Sequence, residues 1–238
     1  IADGVYYKYD YAPGTDISRY KNIPVPTSYM AYHSDYNFIG NYDYDRKAGL
    51  LHIADHHVSP GKKQWTWGCG DFGKAWDRNL TDENGPYIEL MTGMFTDNQP
   101  DFTFLKPYEE KSFTQYFMPY KQAGALKNAG TQVAFGVQEG EGELCVTLYA
   151  PALLADAELQ VLCGDTVVFT QNITLDTAQS CTVTAAVPDT KHYTVRVLRS
   201  GKTLLDYTPC YEQEPVPAPA EEIPAPEKLE TTERLFLA

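Results

Sequence analysis

The sequence predicts an all-β protein with two sandwiches, a larger first one and an immunoglobulin-like second one. Short runs of alternating apolar and polar residues, separated by turns rich in glycine and proline, recur along most of the 238 residues. After Thr131 seven such runs fit into about 80 residues, which is typical of an immunoglobulin-like sandwich. We therefore expect little helix before Glu212.

Composition excludes several classes of partner. The formal net charge is -13 and the pI is about 4.7, which argues against nucleic acid and anionic membranes, because both bind through clustered Lys and Arg. No apolar run reaches the roughly 18 residues of a transmembrane helix, and no signal pattern opens the chain. The sequence predicts a globular protein of the cytoplasm.

The cysteines indicate a reducing compartment and no zinc site. Five of them are widely spaced, without a C-x-x-C pair or a Cys/His cluster. Cys163 and Cys181 could suggest the disulfide of antibody domains, but the accompanying tryptophan is absent. We expect five free thiols, no metal site and no cofactor.

The first strands are predicted from tyrosine-rich alternating runs. Val5–Tyr11 reads as a strand, and short runs continue to Tyr44. Ala48–Val58 is predicted to form one strand, with Asp55 and His57 on one face and His52 and His56 on the other. Such histidines are either part of a site or are partly buried and bonded to neighbours.

The stretch His56–Asp101 contains all three tryptophans of the chain. Trp65 and Trp67 lie two residues apart, so on a strand they share a face and could form a platform for the apolar side of a sugar. Lys63 could reach its hydroxyls. The alternative is a hydrophobic lid over the core.

A polar, glycine-rich loop is predicted to follow, with the sequence GCGDFGKAWDRNLTDENGP. It contains Trp76, Asp77 and Arg78. If the chain is extended here, Asp77 and Arg78 point apart and act as two separate hydrogen-bonding groups, not as an ion pair. The alternative is that both are ordinary surface residues.

The next strand, Pro86–Gly93, places Tyr87, Glu89 and Met91 on one face. A carboxylate between these residues must be paired or hydrogen-bonded, or its pKa rises, so Glu89 is a candidate general acid or base. The alternative is a structural glutamate. Thr96–Phe102 then forms a polar turn, and a closing strand runs from Phe113 to Met118.

These patterns divide the chain into three parts. Residues 1–128 form the first domain and residues 129–211 the immunoglobulin-like domain. Residues 212–238 form an extended linker rich in proline and glutamate that regains helical character at its end. We expect further protein before Ile1 and after Ala238.

Several motifs carry a resemblance to a known family: IPVPTSYM, HHVSPGKKQWTWG, FGKAWDRNLTDENGPYIELMTG and FTDNQPDF. Over roughly residues 5–125 the chain resembles an uncharacterised bacterial domain family that precedes tetratricopeptide repeats and is similar to galactose mutarotases. The resemblance implies that residues 1–128 are the C-terminal part of a β-supersandwich. Mutarotases use a glutamate as base and a histidine as acid, which implies Glu89 with His56 or His57.

Two functions follow as hypotheses, both with a saccharide as ligand. The first is carbohydrate processing, either by an epimerase or mutarotase or by a glycosidase with Asp77 and Glu89 as its two carboxylates. The second is a non-catalytic sugar-binding or scaffold module. The candidate catalytic residues are Glu89, His57, His56 and Asp77, and the candidate substrate-binding residues are Trp65, Trp67, Trp76, Arg78, Lys63 and Tyr87.

Overall fold

The computed structural model describes residues 16–31, 34–96 and 103–210 and confirms the all-β fold class. In these ranges a single α-helix accompanies fourteen strands. The first half contains β1 (Thr27–Met30), β2 (Phe38–Asp43), β3 (Ala48–Ala54), β4 (Lys63–Thr66), α1 (Asp71–Leu80), β5 (Ile88–Met91) and β6 (Gln115–Lys121). The second half contains β7 (Asn128–Ala129), β8 (Ala134–Glu139), β9 (Glu143–Ala150), β10 (Leu154–Cys163), β11 (Thr166–Leu175), β12 (Gln179–Ala186), β13 (Thr194–Arg199) and β14 (Lys202–Tyr207).

Three predictions fall on residues that the structure does not describe. They are the strand Val5–Tyr11, most of the turn Thr96–Phe102, and the linker 212–238 with its helical end. Among the described residues, no helix is both long enough and apolar enough to cross a membrane.

The first half consists of two three-stranded antiparallel sheets. One has the order β1-β4-β5 and the other β2-β3-β6. A chain of side-chain hydrogen bonds follows β5: Thr92 Oγ1 lies 3.1 Å from His52 Nε2 of β3, and Gln115 Nε2 of β6 donates to Thr92 Oγ1 over 3.0 Å. The polar groups at the end of β5 thus tie the first sheet to the second.

The second half is an antiparallel sandwich, and all seven predicted strands are present. Its sheets have the orders β12-β9-β8-β7 and β11-β10-β13-β14. Along most of β9 and through the middle of β10 every second side chain is buried, as expected where only one face of a sheet meets the core. Phe135, Leu148, Leu159 and Val195 are completely buried there. No disulfide joins any of the five cysteines, all of which lie in the described ranges, so this apolar core stabilises the sandwich without one.

A second apolar cluster joins the two halves. Leu51 and Met118 of the first half pack with Ala134 and Tyr149 of the second. The Tyr149 hydroxyl also donates to the Pro119 carbonyl over 3.0 Å. Burial of these side chains fixes the sheet β2-β3-β6 against the sandwich.

The strand predicted over Ala48–Val58 is too long. β3 ends at Ala54, and Asp55, His56 and His57 form a turn. The carboxylate of Asp55 causes this, because its Oδ1 accepts the backbone N–H of His57 over 3.0 Å, a local bond that competes with continued strand pairing. The predicted alternation of faces therefore does not apply to His56 and His57.

The polar loop after Trp67 is instead largely helical, since α1 covers ten of its residues. Asp71 in the first turn and Arg78 in the last complement the helix dipole. Thr81 ends the helix, and its hydroxyl donates to the Asp77 carbonyl over 3.0 Å. The prediction of a loop was therefore wrong over these residues, and Asp77 and Arg78 lie on a helix instead of an extended chain.

Candidate functional site

One face of the sheet β1-β4-β5 gathers many of the predicted site residues. In the antiparallel pair of β4 and β5, Trp65 lies directly opposite Glu89, and Lys63 lies opposite Met91. Directly opposite side chains share a face of the sheet, and residues two apart on a strand do so as well. Tyr87 lies just before β5, and its side-chain hydrogen bond to Glu89 places it on this face as predicted.

Helix α1 completes this face with aromatic rings. Trp76 stacks on Trp67 with ring centroids 4.4 Å apart and ring planes 7° from parallel. Trp65 meets Trp67 edge-on, at 4.6 Å and 79°. Phe72 lies 5.8 Å from Trp67. We call Trp65, Trp67, Phe72, Trp76, Tyr87 and Glu89 together the tryptophan surface.

The platform differs from the predicted one. Trp65 and Trp67 were expected to lie side by side, but their planes are nearly perpendicular. The flat pair is Trp67 with Trp76, and Trp76 keeps 37% of its surface exposed. Sequence reasoning missed Phe72, which is 58% exposed; its spacing of four residues from Trp76 is the signal that could have revealed a shared helix face. The exposed ring of the stacked pair is therefore that of Trp76, which lies on α1 and not on the strand.

Glu89 has a hydrogen-bonding partner within the tryptophan surface. Its carboxylate accepts a hydrogen bond from the Tyr87 side chain, and this bond, together with the negative charge, raises the pKa of the Tyr87 hydroxyl. A hydrogen-bonded glutamate beside aromatic rings is what the sequence predicts. Its other lone pairs can accept hydrogen bonds from a ligand.

Asp77 fastens the helix to its surroundings. Its Oδ1 accepts the backbone N–H of Tyr87 over 3.0 Å, and its Oδ2 lies 3.3 Å from the Tyr20 hydroxyl. Burial, with the charge and hydrogen bond of Asp77, raises the pKa of Tyr20 to about 12, so this hydroxyl stays a donor. Asp77 thus positions α1 relative to Tyr87 and Tyr20. Arg78, the next residue of the helix, is exposed.

The predicted histidines lie elsewhere. His56 and His57 follow β3 in the other sheet, and no hydrogen bond or ion pair in the described ranges joins either of them to Glu89. Asp55 and His57 instead line a cleft of about 570 Å³ between the two halves. Its opposite wall includes Gln132 and Leu205. The residues that the sequence assigned to one site therefore lie in two places, the tryptophan surface and the turn after β3.

Sequence reasoning also chose the less buried of two neighbouring lysines. Lys62, not Lys63, is buried, with 3% of its surface exposed. Its Nζ donates to Ser34 Oγ over 2.7 Å and to the Tyr36 carbonyl. Burial lowers the pKa of Lys62 to about 8, against the opposing attraction of Asp35. No local signal distinguishes the two lysines, because burial depends on the packing of residues 34–36.

The burial of Lys62 predicts a dependence of stability on pH. The unfolded chain keeps this proton up to about pH 10.5, the folded chain only to about pH 8. Between these values the unfolded state binds more protons, so the free energy of unfolding of the wild type should rise with pH relative to Lys62→Met, by up to about 3 kcal/mol. Urea denaturation of both proteins across this range measures the difference. A constant or falling difference would refute the assigned burial.

Comparison with known families gives two matches along this chain. Residues 8–123 match the model of a domain of unknown function, DUF5107. Residues 128–207 match the model described as YphG-like protein, second domain. The two models thus match consecutive segments, one in each half of the chain. No solved structure matches the chain significantly.

The first match agrees with the coarser part of the sequence resemblance, an uncharacterised domain over the first half. Neither match concerns galactose mutarotases or tetratricopeptide repeats, so these parts of the resemblance stay predictions. The tryptophan surface lies within residues 8–123, and the cleft lies between the two matched segments.

Proposed function

We propose that the protein recognises saccharides through the tryptophan surface. The observation that carries the proposal is the stack of Trp76 on Trp67, which leaves Trp76 partly exposed on the surface that also contains the hydrogen-bonded Tyr87 and Glu89. An aromatic ring takes up the apolar face of a pyranose, and carboxylate and hydroxyl groups bind the equatorial hydroxyls.

The tryptophan surface is also rigid enough for recognition. Trp65 and Glu89 are held by strand pairing, and Trp76 is held on α1, whose end is tied to Tyr87 through Asp77. Groups fixed in this way lose little conformational entropy on binding. A net charge of -13 favours neutral or cationic saccharides over phosphorylated or sulfated ones.

Recognition is better supported than processing. A mutarotase-like reaction needs an acid opposite the glutamate, and the histidines expected in that role follow β3 of the other sheet. A glycosidase would need Asp77 as its second carboxylate. Asp77 already accepts hydrogen bonds from the Tyr87 backbone and the Tyr20 hydroxyl, so both of its oxygens are occupied in holding the helix. The proposal therefore treats the protein as a non-catalytic binding module.

The rest of the resemblance extends this proposal. A sugar-binding module of the cytoplasm, ahead of tetratricopeptide repeats and descended from a mutarotase-like fold, would present saccharide ligands to a protein-binding scaffold. This extension rests on the sequence motifs that carry the resemblance, since the match of residues 8–123 is to a domain of unknown function.

An oligosaccharide array probed with the labelled full chain tests the proposal. We expect selective retention on a small set of neutral glycans and its loss in Trp76→Ala. Tyr108→Ala serves as control, because Tyr108 is fully exposed and outside the tryptophan surface. Uniform background for all glycans, or equal retention of wild type and Trp76→Ala, would contradict the proposal.

Glu89→Gln separates recognition from catalysis. The amide keeps the size and hydrogen-bonding reach of the carboxylate and removes its basicity, so we expect a change in saccharide affinity of less than about tenfold, since a single hydrogen bond contributes about 1 kcal/mol. Calorimetric titration with a glycan from the array measures it. If the wild type turns the glycan over and Glu89→Gln loses roughly a hundredfold in kcat, Glu89 is an acid or base and the processing hypothesis holds.

A further inference from the structure

Three consecutive potential metal ligands meet at the end of β3. In the turn Asp55, His56 and His57, one donor atom of each residue lies within 4.8 Å of the others. The two imidazole rings are 3.9 Å apart between centroids. An extended strand would have pointed His56 away from the other two, so the turn itself creates this group.

Hydrogen bonds determine which ring nitrogens can bind a metal. Asn37 Oδ1 accepts the backbone N–H of His56 over 2.9 Å, which identifies this atom as the amide oxygen, and it lies 2.7 Å from His56 Nδ1. An oxygen without a proton can only accept, so Nδ1 of His56 carries the hydrogen. In the neutral ring the lone pair then belongs to Nε2.

His57 and Asp55 are placed as two ligands of one ion. Asp55 Oδ1 accepts the backbone N–H of His57 and lies 3.0 Å from its Nδ1. Two ligand atoms that are each about 2 Å from a tetrahedral zinc ion lie about 3 Å apart, so an ion can replace the hydrogen between Oδ1 and Nδ1. His56 supplies the third ligand through Nε2, because its Nδ1–H is held by Asn37, the usual arrangement of a metal-binding histidine.

The position of the group leaves room for further ligands. Asp55, His57 and Asn37 line the cleft of about 570 Å³ between the two halves, together with Asp35 and Tyr36. An ion bound at the turn would therefore have coordination positions that face the cleft. Two imidazoles and one carboxylate are the ligands of open transition-metal sites, including catalytic zinc sites.

We propose that Asp55, His56 and His57 bind a divalent transition-metal ion, with Zn²⁺ as the reference ion, at the mouth of the cleft between the two halves. This proposal departs from the sequence-based expectation that the chain supplies no metal site. That expectation treated the oxygen and nitrogen ligands as scattered, whereas the turn brings three of them together. The proposal is independent of saccharide binding, since the tryptophan surface shares no residue with this group.

Calorimetric titration of the untagged full chain with Zn²⁺, and with Co²⁺ followed by its visible absorption, tests the proposal. We expect one site, with affinity at least tenfold lower in His57→Ala and in His56→Ala. Asn37→Ala should lower affinity by about 10- to 100-fold, because Asn37 only orients His56. No binding by the wild type would overturn the proposal.

The second domain offers a matched control. His192 Nδ1 lies 2.8 Å from Asp189 Oδ2, so this exposed pair resembles His57 with Asp55 but lacks a second imidazole. His192→Ala should leave Zn²⁺ affinity unchanged; a loss as large as in His57→Ala would mean nonspecific binding by surface histidines and would refute the site. Glycan titrations with and without EDTA keep the two proposals apart, since saccharide affinity should not change.

Discussion

Replacing Gly73 with alanine should destabilise the first half of the protein and abolish saccharide binding. Gly73 lies on the buried side of α1, and a Cβ atom there would lie 1.7 Å from the Gly68 carbonyl oxygen and 2.8 Å from that of Trp67. Both are backbone atoms and cannot rotate away. The helix must move off the end of β4, which separates Trp76 from Trp67.

The expected size follows from two opposing effects. In an open helix, alanine is favoured over glycine by about 1 kcal/mol. Here the overlap should outweigh that gain and lower the free energy of unfolding by about 3 kcal/mol, the upper part of the usual range for overpacking. Urea denaturation followed by tryptophan emission measures it for the first half, since all three tryptophans lie there.

Lys74→Ala is the matched control, because Lys74 is the next residue of α1 and is exposed. Its stability should stay within about 0.5 kcal/mol of the wild type. A Gly73→Ala protein as stable as Lys74→Ala would show that α1 does not pack closely on the chain after β4, and the tryptophan surface would lose its basis.

Replacing Trp76 with alanine should weaken saccharide binding by roughly 30-fold or more, which corresponds to about 2 kcal/mol, the scale of a central aromatic contact in an interface. The exposed indole is lost while Trp65, Tyr87 and Glu89 stay in place on their paired strands. Stability should change less, because Trp76 is 37% exposed and loses mainly its stacking on Trp67, about 1 kcal/mol.

Calorimetry with one glycan compares Trp76→Ala with Tyr108→Ala, whose affinity should equal that of the wild type. Circular dichroism verifies that both variants are folded. If Trp76→Ala is folded and binds as tightly as the wild type, the ligand is recognised elsewhere, and the cleft between the halves becomes the first place to look.

Much of the fold could be predicted from the sequence, because period-two alternation reports directly which face of a strand is buried. The seven strands predicted for the second half are present, and Tyr87 and Glu89 share a face as predicted. The same rule failed at His56 and His57. The Asp55 carboxylate accepts the backbone N–H of His57, and this local hydrogen bond ends the strand.

The helix was missed for a related reason. Three glycines near its start resemble loop sequence, yet Gly73 is needed inside α1 for close packing, not for flexibility. Phe72 and Trp76, four residues apart, contained the helical signal. The burial of Lys62 and the cleft between the halves depend on contacts between distant segments, which no local pattern encodes.

The most direct test of the tryptophan surface uses the wild-type protein alone. Its emission comes from Trp65, Trp67 and Trp76, all members of the proposed site. A glycan selected from the array is titrated while heat release and tryptophan emission are recorded together. Saccharide recognition at this surface predicts a saturable change in emission with the same Kd as the heat. Heat release without a change in emission, or no glycan that binds at all, would contradict it.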